Sequence, residues 1–200
     1  MSVSPDAVRT AACELFARQG YRGTSMKDIG GALAVSAPNL YNHVPNKQDL
    51  LVVIMDTAMD RAHAALDKAL EGVDDLAEQL RRATETSVLD FLGHAAEITV
   101  CNTEIRSLTE PGRSRIIAKR NAYAARIRSI VEAGTACGRF RTAHPRPATF
   151  AILELPANAT AWFNERGELS AEEVARIYGD FALDIVRCTR KPARAPSGRR

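Results

Sequence analysis

Apolar residues recur at the spacing of an α-helix along nearly the whole chain. In the first segment they fall at i, i+3, i+4, i+7 and i+8, which places them on one helix face. This face consists of Val8, Ala11, Ala12, Leu15 and Phe16. Ser4 and Pro5 provide a helix start, and Gly20 provides an end. The pattern therefore predicts a first helix between these residues.

The same spacing continues beyond residue 50, and no alternating strand pattern competes with it. Asn46 and Asp49 form a capping box that opens a helix running to about Glu71. Pro156 falls inside a helical pattern and is expected to kink it, because it lacks a backbone donor and crowds the preceding turn. The further predicted helices cover 75-93, 96-109, 111-137, 146-164 and 170-189. The predicted fold class is all-α.

Two short helices joined by a tight corner are predicted after the first helix. Ser25 and Asp28 form a capping box for the first of the two. The corner falls at Ala34 and Val35, and Ser36 caps the second helix. This arrangement is a helix-turn-helix, which places its second helix in the major groove of DNA.

The second short helix carries the groups that are expected to recognise DNA. Small apolar and amide side chains in its first turn can contact a thymine methyl or an adenine, and Tyr41, His43 and Lys47 are expected to face phosphates. The predicted DNA-contacting residues are Thr24, Ser25, Lys27, Ser36, Ala37, Pro38, Asn39, Tyr41, Asn42, His43 and Lys47. The predicted partner is a double-stranded DNA operator.

At these positions the chain resembles the tetracycline-repressor family of transcriptional regulators. The matching residues, at the family's spacing, are Thr24, Ile29, Val35, Ser36, Leu40, Tyr41, His43, Pro45, Lys47 and Leu50. Two positions depart from the pattern, since Ala34 replaces the usual Gly and Val44 replaces the usual Phe. Ala34 must adopt a conformation that Gly adopts without strain, at a cost of about 1 kcal/mol. The resemblance implies an N-terminal three-helix helix-turn-helix domain and a C-terminal helical domain for ligand binding and dimerisation.

Three parts of the chain are predicted from this resemblance and from the distribution of charge. Residues 1-46 are the DNA-binding domain, and residues 47-189 are the ligand-binding and dimerisation domain, which the helix from Lys47 joins to the first. Residues 190-200 are a basic disordered tail, because the stretch 187-200 holds six basic and no acidic side chains with almost no apolar bulk. The net charge of +3 therefore comes from the tail.

The last two predicted helices carry more apolar surface than one chain is expected to cover. Pairing with a second copy would bury that surface, and the resemblance implies a homodimer. Two DNA-binding domains on successive faces of the groove favour the same arrangement. The alternative is that the apolar stripe is ordinary core. The predicted interface residues are Phe150, Leu153, Val174, Ile177, Tyr178, Phe181 and Ile185.

The helices over 75-93 and 111-137 are predicted to surround an apolar cavity that holds a small-molecule effector. The second of them carries six basic side chains, and Arg forks match phosphate and carboxylate geometry. The region from Cys101 to Phe140 is also similar to sensor domains that respond to acyl-coenzyme A compounds. The predicted effector therefore has an apolar body and an anionic end, with an acyl-coenzyme A as one candidate. The candidate lining residues are Leu89, Phe91, Leu92, Ile98, Ile116, Arg120, Tyr123, Ile127, Leu153 and Trp162.

Ordinary packing is the alternative interpretation of this region. Each candidate lining residue can belong to a filled core, and the basic helix can present a solvated face. An effector held beside acidic or aromatic groups would instead be cationic. Acidic residues that support this alternative are Glu85, Asp90, Glu97 and Glu104.

The composition argues against several other classes of protein. No apolar run approaches the roughly eighteen residues of a membrane span, and residues 1 to 20 show no signal-peptide pattern. A cytoplasmic protein with no membrane partner is expected. The four cysteines are separated and show no C-x-x-C spacing, which favours reduced thiols over a metal site, with a redox sensor as the alternative. No metal and no cofactor are predicted.

Two alternative functions remain open at the level of the sequence. A small helical enzyme would need a catalytic motif, but the four histidines are dispersed and no H-E-x-x-H, Gly-rich phosphate loop or Ser nucleophile elbow occurs. A helical adaptor without DNA binding would not need Tyr41, His43 and Lys47. Both alternatives are less consistent with the sequence than a DNA-binding regulator.

Overall fold

A computed structural model of the chain describes residues 4–35, 40–41 and 44–188. Within these residues it contains eight α-helices and a short 3-10 turn, and no strand, so the predicted all-α class is confirmed. In chain order the helices are α1 (Pro5–Gln19), α2 (Met26–Ala32), α3 (Lys47–Leu70), α4 (Leu76–Gly93), α5 (Ala95–Thr103), α6 (Gly112–Ala136), α7 (Pro145–Trp162) and α8 (Ala171–Ile185).

The ends of the first two helices follow from local capping. The Ser4 side chain caps α1, and Gly20 ends it with φ at 79°, a conformation that glycine adopts without strain. Ser25 and Asp28 form the predicted capping box at the start of α2. Ala34 has φ at 54°, which confirms that this alanine occupies the left-handed position at the corner.

Helix α3 connects the DNA-binding part of the chain to the rest. Asn46 caps its start by accepting the backbone N–H of Asp49 at 2.8 Å. Its 24 residues give it a length of about 36 Å. Leu50 and Ile54 lie in a core shared with α1 and α2, whereas Leu66 lies in a second core shared with α4 and α6. One rigid element therefore spans both cores.

Two predicted helices end earlier than expected. The segment 96-109 divides into α5, which stops at Thr103, and a 3-10 turn over Ile105–Ser107. Glu104 interrupts it, because its carboxylate accepts hydrogen bonds from the Tyr21 backbone N–H at 3.1 Å and from the Ser107 hydroxyl at 2.8 Å.

The segment 170-189 forms a helix only to Ile185. Arg187 takes a positive φ of 50°, and the Val186 carbonyl accepts the backbone N–H of Arg141 at 2.9 Å. These two features end α8 before the predicted point.

The other predicted segments agree with the structure within two residues. They are α4, α6 and α7, predicted over 75-93, 111-137 and 146-164. Helix α7 continues on both sides of Pro156, and the expected kink stays a prediction. Helix α6 ends where Phe140 turns back onto Gly134 and donates its backbone N–H to the Gly134 carbonyl at 2.8 Å.

The first core crosses the predicted boundary between the domains. It joins α1, α2 and the first half of α3 to Val100 of α5, Leu108 and Ile116 of α6. Ile116 is almost fully buried there. Its predicted place in the ligand site is therefore wrong, because it packs under the DNA-binding domain. The domain limits 1-46 and 47-189 remain predictions.

Candidate DNA-binding surface and ligand cavity

A basic depression lies where the loop after α1 meets the start of α3. Arg22, Lys27 and Lys47 supply three cations to its lining, and Ser25 and Tyr41 supply hydroxyl groups. Tyr41 is half exposed. Such a surface is suited to phosphate oxygens, which take much of the hydrogen bonding in protein–DNA contacts. Arg22 is absent from the sequence prediction, because only the folded loop brings it beside Lys27 and Lys47.

Thr24 borders the depression and also has a structural role, and its predicted contact with DNA stays a prediction. The side chain is buried, and its hydroxyl donates to the Gly20 carbonyl at 2.9 Å and accepts from Gln19 Nε2 at 3.2 Å. Ser25 is exposed, and its hydroxyl donates to Asp28 Oδ2 at 2.7 Å. The hydrogen bonds from Ser25 lower the pKa of Asp28, since Ser25 donates to the charged carboxylate. Together they fix the shape of the loop.

Lys47 connects two elements of the DNA-binding domain. Its Nζ donates to the Tyr21 carbonyl at 2.8 Å and to the Thr24 carbonyl at 2.7 Å. It also lies 4.2 Å from the centre of the Tyr21 ring. The predicted role as a simple phosphate contact therefore needs correction. Two of the three ammonium donors hold the loop after α1 against the start of α3, and the charge still faces the depression.

Six of the predicted DNA contacts lie outside the described residues. They are Ser36, Ala37, Pro38, Asn39, Asn42 and His43. The base-reading part of the interface therefore stays a prediction, and the structure places Ser25, Lys27, Tyr41 and Lys47 around one depression.

A cavity of about 310 Å³ lies between α3, α4, α5, α6 and α7. Small side chains leave this space, because alanines face inward from three of these helices. They are Ala58, Ala62 and Ala65 on α3, Ala83 on α4 and Ala124 on α6. The volume is at the lower end of the roughly 300–1,000 Å³ typical of ligand pockets. Large apolar residues dominated the sequence prediction, so these alanines were missed.

Six of the ten candidate lining residues border the cavity. They are Phe91, Ile98, Arg120, Tyr123, Ile127 and Leu153. Phe150, which was predicted for the dimer interface with Leu153, also borders it.

Besides Ile116, three predicted lining residues lie elsewhere, contrary to the prediction. Leu89 lies on the outside of α4, because Ser87 and Asp90 occupy the face toward the cavity. Leu92 packs against a third, smaller core formed by α4, α7 and α8. Trp162 is half exposed, and its indole N–H donates to the Tyr178 hydroxyl at 2.9 Å.

A pair of hydroxyl groups lies on the cavity wall. Ser87 Oγ and Tyr123 Oη are 2.5 Å apart. Burial raises the pKa of Tyr123 despite the hydrogen bond from Ser87, so the phenol stays neutral at physiological pH. The His63 ring packs edge-on against Tyr123, with centroids 5.5 Å apart. The wall thus offers a neutral group that can both donate and accept.

Three of the six basic side chains of α6 pair with carboxylates of α3, which corrects the predicted role of the whole basic face as an anion site. The ion pairs between the two helices include Arg115–Asp56, Lys119–Asp60 and Arg126–Asp67. Arg120 differs, because it is exposed and borders the cavity, where its guanidinium lies 3.4 Å from the Cys101 carbonyl. Among the described residues that line the cavity, Arg120 is the one with a basic side chain.

The outer face of α7 and α8 carries large exposed apolar side chains. Phe150 is 50% exposed, Phe181 47% and Ile177 37%. Ile185 is half-buried. An apolar surface of this kind on one side of a protein marks an interaction site.

Two predicted interface residues belong to the interior of the chain instead. Val174 has no exposed surface and packs in the third core with Val88 and Ala159, so it has none left for a partner. Tyr178 is almost fully buried in the same core. Their place in the apolar stripe of α8 reflects contact with α4.

Two negative findings hold for the part of the chain that the structure describes. No group of three His, Cys, Asp or Glu side chains is arranged to hold a metal ion. No helix there is both long enough and apolar enough to cross a membrane.

Comparison with known families assigns the two parts of the chain. Residues 8–54 match the family described as bacterial regulatory proteins, tetR family. Residues 73–186 match the family described as tetracyclin repressor-like, C-terminal domain. The chain belongs to the tetR family. It is a ligand-responsive, DNA-binding regulator of transcription.

Individual relatives extend over nearly the whole length. The crystal structure of the TetR-family transcriptional regulator PfmR from Thermus thermophilus is 34% identical, with a TM-score of 0.79 over 92% of this chain and 99% of that one. The HTH-type transcriptional repressor KstR2 of Rhodococcus jostii is 23% identical over 86% of each chain. The crystal structure of AibR in complex with isovaleryl coenzyme A and operator DNA is 24% identical, with a TM-score of 0.80 over 92% of this chain and 99% of that one.

Proposed function

We propose that this tetR-family protein is a homodimeric repressor, and that a small amphipathic effector in its cavity releases it from its operator. The observation that carries the proposal is the position of α3. Its first residue, Lys47, holds the DNA-binding loop, and Ala58, Ala62 and Ala65 further along the helix line the cavity. A change in the cavity wall can therefore reach the DNA-binding surface through one element.

The repressor direction is supported by KstR2, which is a transcriptional repressor and aligns with most of this chain. An effector that binds better to an arrangement with misplaced DNA-binding domains must lower DNA affinity. By linkage, DNA lowers effector affinity by the same factor. We further propose that the protein acts in the cytoplasm, together with the DNA it binds, and that it catalyses no reaction.

The chemistry of the cavity supports an apolar effector body with one polar end. Alanines, Phe91 and Ile127 line most of the space, and the Ser87–Tyr123 hydroxyl pair offers hydrogen bonds inside it. Arg120 lies on the exposed side, where it can pair with an anionic group outside. AibR binds isovaleryl coenzyme A on the same fold. We infer an acyl-coenzyme A whose acyl group fills the cavity and whose phosphates remain near Arg120.

A matched set of probes tests the effector class. Isovaleryl-coenzyme A, isovalerate, a neutral isovaleryl ester and isoamylamine are added to the protein on its operator, and release is followed by gel shift and melting by thermal shift. The thioester is expected to release DNA, and Arg120→Ala is expected to weaken this response by at least about tenfold, since a charge-assisted bidentate contact contributes about 1.5–3 kcal/mol. Arg126→Ala is the matched control, because Arg126 pairs with Asp67 outside the cavity. Release by the amine alone would reject an anionic effector.

A further inference from the structure

Four charged side chains from four helices form a continuous chain of ion pairs. Arg9 of α1 donates to Glu97 Oε1 of α5 at 2.5 Å. Arg61 of α3 donates to Glu97 Oε2 at 2.5 Å and to Asp90 Oδ1 of α4 at 2.6 Å. Glu97 thus uses one carboxylate oxygen for each arginine. We call Arg9, Glu97, Arg61 and Asp90 the ion-pair chain.

The ion-pair chain is well shielded from solvent. Its arginines are 21% and 26% exposed, and its carboxylates are 10% and 12% exposed. By contrast, Asp60 and Asp67, in the α3–α6 ion pairs, are mostly exposed. Shielded charges interact strongly, and removing one partner leaves an uncompensated charge. The members of the ion-pair chain are therefore expected to move together.

The two ends of the ion-pair chain lie at the two functional parts of the protein. Asp90 borders the ligand cavity. Arg9 lies on α1, next to Val8 and one turn from Cys13, which are both buried in the core of the DNA-binding domain. Between these ends the ion-pair chain includes one residue of α3 and one of α5, and both helices also contribute to the cavity wall. It bridges the cavity and the DNA-binding domain independently of Lys47.

Arg61, at the centre of the ion-pair chain, has a donor that forms no hydrogen bond with the described residues. This donor is Nη2, which is buried. His94 also approaches Asp90, with Nδ1 at 3.2 Å from Oδ1. Asp90 thus has a second partner if Arg61 moves, and Arg61 has a donor free for a new one. The described residues show one pairing, and these groups supply the contacts that a second pairing would use.

We propose that the ion-pair chain couples the cavity to the position of the DNA-binding domain, with Arg61 and Glu97 as positioning residues. The inference rests on the proposed function, because the effector is what perturbs Asp90. When Asp90 no longer holds Arg61, Glu97 loses the support of one arginine and its hold on Arg9 weakens. Helix α1 then shifts against α5, and the DNA-binding domain loses its fixed orientation. A contiguous network with two arrangements is the physical requirement for such coupling.

A double-mutant cycle on operator affinity tests the coupling without any effector. The full-length wild type, Asp90→Asn, Arg9→Gln and the double variant are titrated onto an operator duplex that the wild-type protein selects from a random pool. Asp90→Asn is expected to weaken binding about fivefold, the lower limit of typical allosteric coupling. In the Arg9→Gln background the same substitution should change the affinity by less than about twofold, because the path is already broken.

Two control variants test the chemical change itself, and the melting temperature of every variant measures general destabilisation. Asp67→Asn and Arg126→Gln make the same chemical changes in an ion pair of α3 and α6 that does not reach α1. They should leave the operator affinity within about twofold. Arg9→Lys, which keeps a positive charge beside Glu97, should retain more of the affinity than Arg9→Gln if both variants melt cooperatively.

Hydrogen exchange gives a second measurement if Arg9→Gln fails to fold. Asp90→Asn alone should accelerate exchange of the α1 backbone amides, and Asp67→Asn should not. The proposal is overturned if Asp90→Asn leaves both operator affinity and α1 exchange unchanged. It is equally overturned if the effects of Asp90→Asn and Arg9→Gln simply add. Neither result would affect the effector proposal, since no effector is present in this experiment.

Discussion

At the residue scale, two residues of the sequence motif have structural roles that the motif does not show. Lys47 and Thr24 belong to the DNA-binding motif, yet both bond mainly to the chain itself. A motif records which residue type recurs at a position. It does not distinguish a side chain that touches DNA from one that shapes the surface that does. The conformation of Ala34 was predictable from the family resemblance, because the family usually has Gly at this corner.

Substituting the two lysines of the depression separates contact from positioning. Lys27 is exposed, and its side chain forms no hydrogen bond with the described residues. Lys27→Ala should therefore lower the salt slope of DNA binding by about 0.9 without changing the melting temperature. Lys47→Ala should weaken DNA binding and also lower stability by about 1.5–3 kcal/mol, since hydrogen bonds from a charged donor are lost. Salt-dependent anisotropy and thermal melting measure both. A Lys47→Ala variant of unchanged stability would contradict the positioning role.

Replacing Ala34 by glycine should stabilise the protein, because it removes the strain of the left-handed backbone conformation at this position. The left-handed conformation costs an L-residue roughly 1–2 kcal/mol, and glycine gives back roughly 0.4–1 kcal/mol through the greater freedom of the unfolded chain. Ala34→Gly should therefore raise stability by up to about 1 kcal/mol, or the Tm by about 2–4 °C. Ala32→Gly, in the exposed part of α2, should lower it instead. The account of the corner fails if Ala34→Gly melts at a lower temperature than the wild type.

At the element scale, helix existence and type could be predicted, and helix ends could be predicted wherever a capping residue marks them. Ser25 caps α2 as the sequence indicates, and Ser170 caps α8. The break at Glu104 was not predictable, because its carboxylate bonds to Tyr21, 83 positions away in the sequence. The cavity was missed in part for a similar reason. The volume of the cavity depends on alanines of separate helices that face one another, and the sequence of a single helix does not show which alanines will meet.

The end of α6 depends on a close approach between two residues. A Cβ added to Gly134 would lie 2.1 Å from the Phe140 ring, and that ring is almost fully buried. Gly134→Ala should therefore destabilise the protein by about 1–3 kcal/mol through overpacking. Gly93→Ala is the matched control, because a Cβ at the end of α4 meets no atom within 4 Å. Denaturant unfolding compares the two, and equal stability of both variants would refute the packing argument.

At the scale of the whole molecule, the exposed face of α7 and α8 predicts the assembly. Ile177→Glu with Phe181→Glu places charge on this face, where an unpaired carboxylate in a dimer interface costs several kcal/mol. The variant should be monomeric by ultracentrifugation, and operator binding should weaken with loss of the second DNA-binding domain. Val53→Glu, on an exposed apolar residue of α3, should leave the association intact. A monomeric wild type at micromolar concentration would rule the interface out.

The whole molecule also explains why effector and DNA can influence each other. Helix α3 and the ion-pair chain both join the cavity to the DNA-binding domain, and the first core packs that domain directly on α5 and α6. The anionic effector was predicted from the basic face of α6, but three of the six basic side chains on that face pair with α3. Arg120, a candidate from the sequence, is the basic residue that borders the cavity among the described residues.

The most direct test of the central claim is the reciprocity of effector and operator binding. Straight-chain and branched acyl-coenzyme A compounds of increasing chain length, including isovaleryl-coenzyme A, are titrated by calorimetry into the free protein and into its operator complex. The account predicts that a member of the series binds the free protein at least about fivefold more tightly, and lowers operator affinity by the same factor. Equal affinity of every compound for the free and the operator-bound protein, or no binding to either, would contradict it.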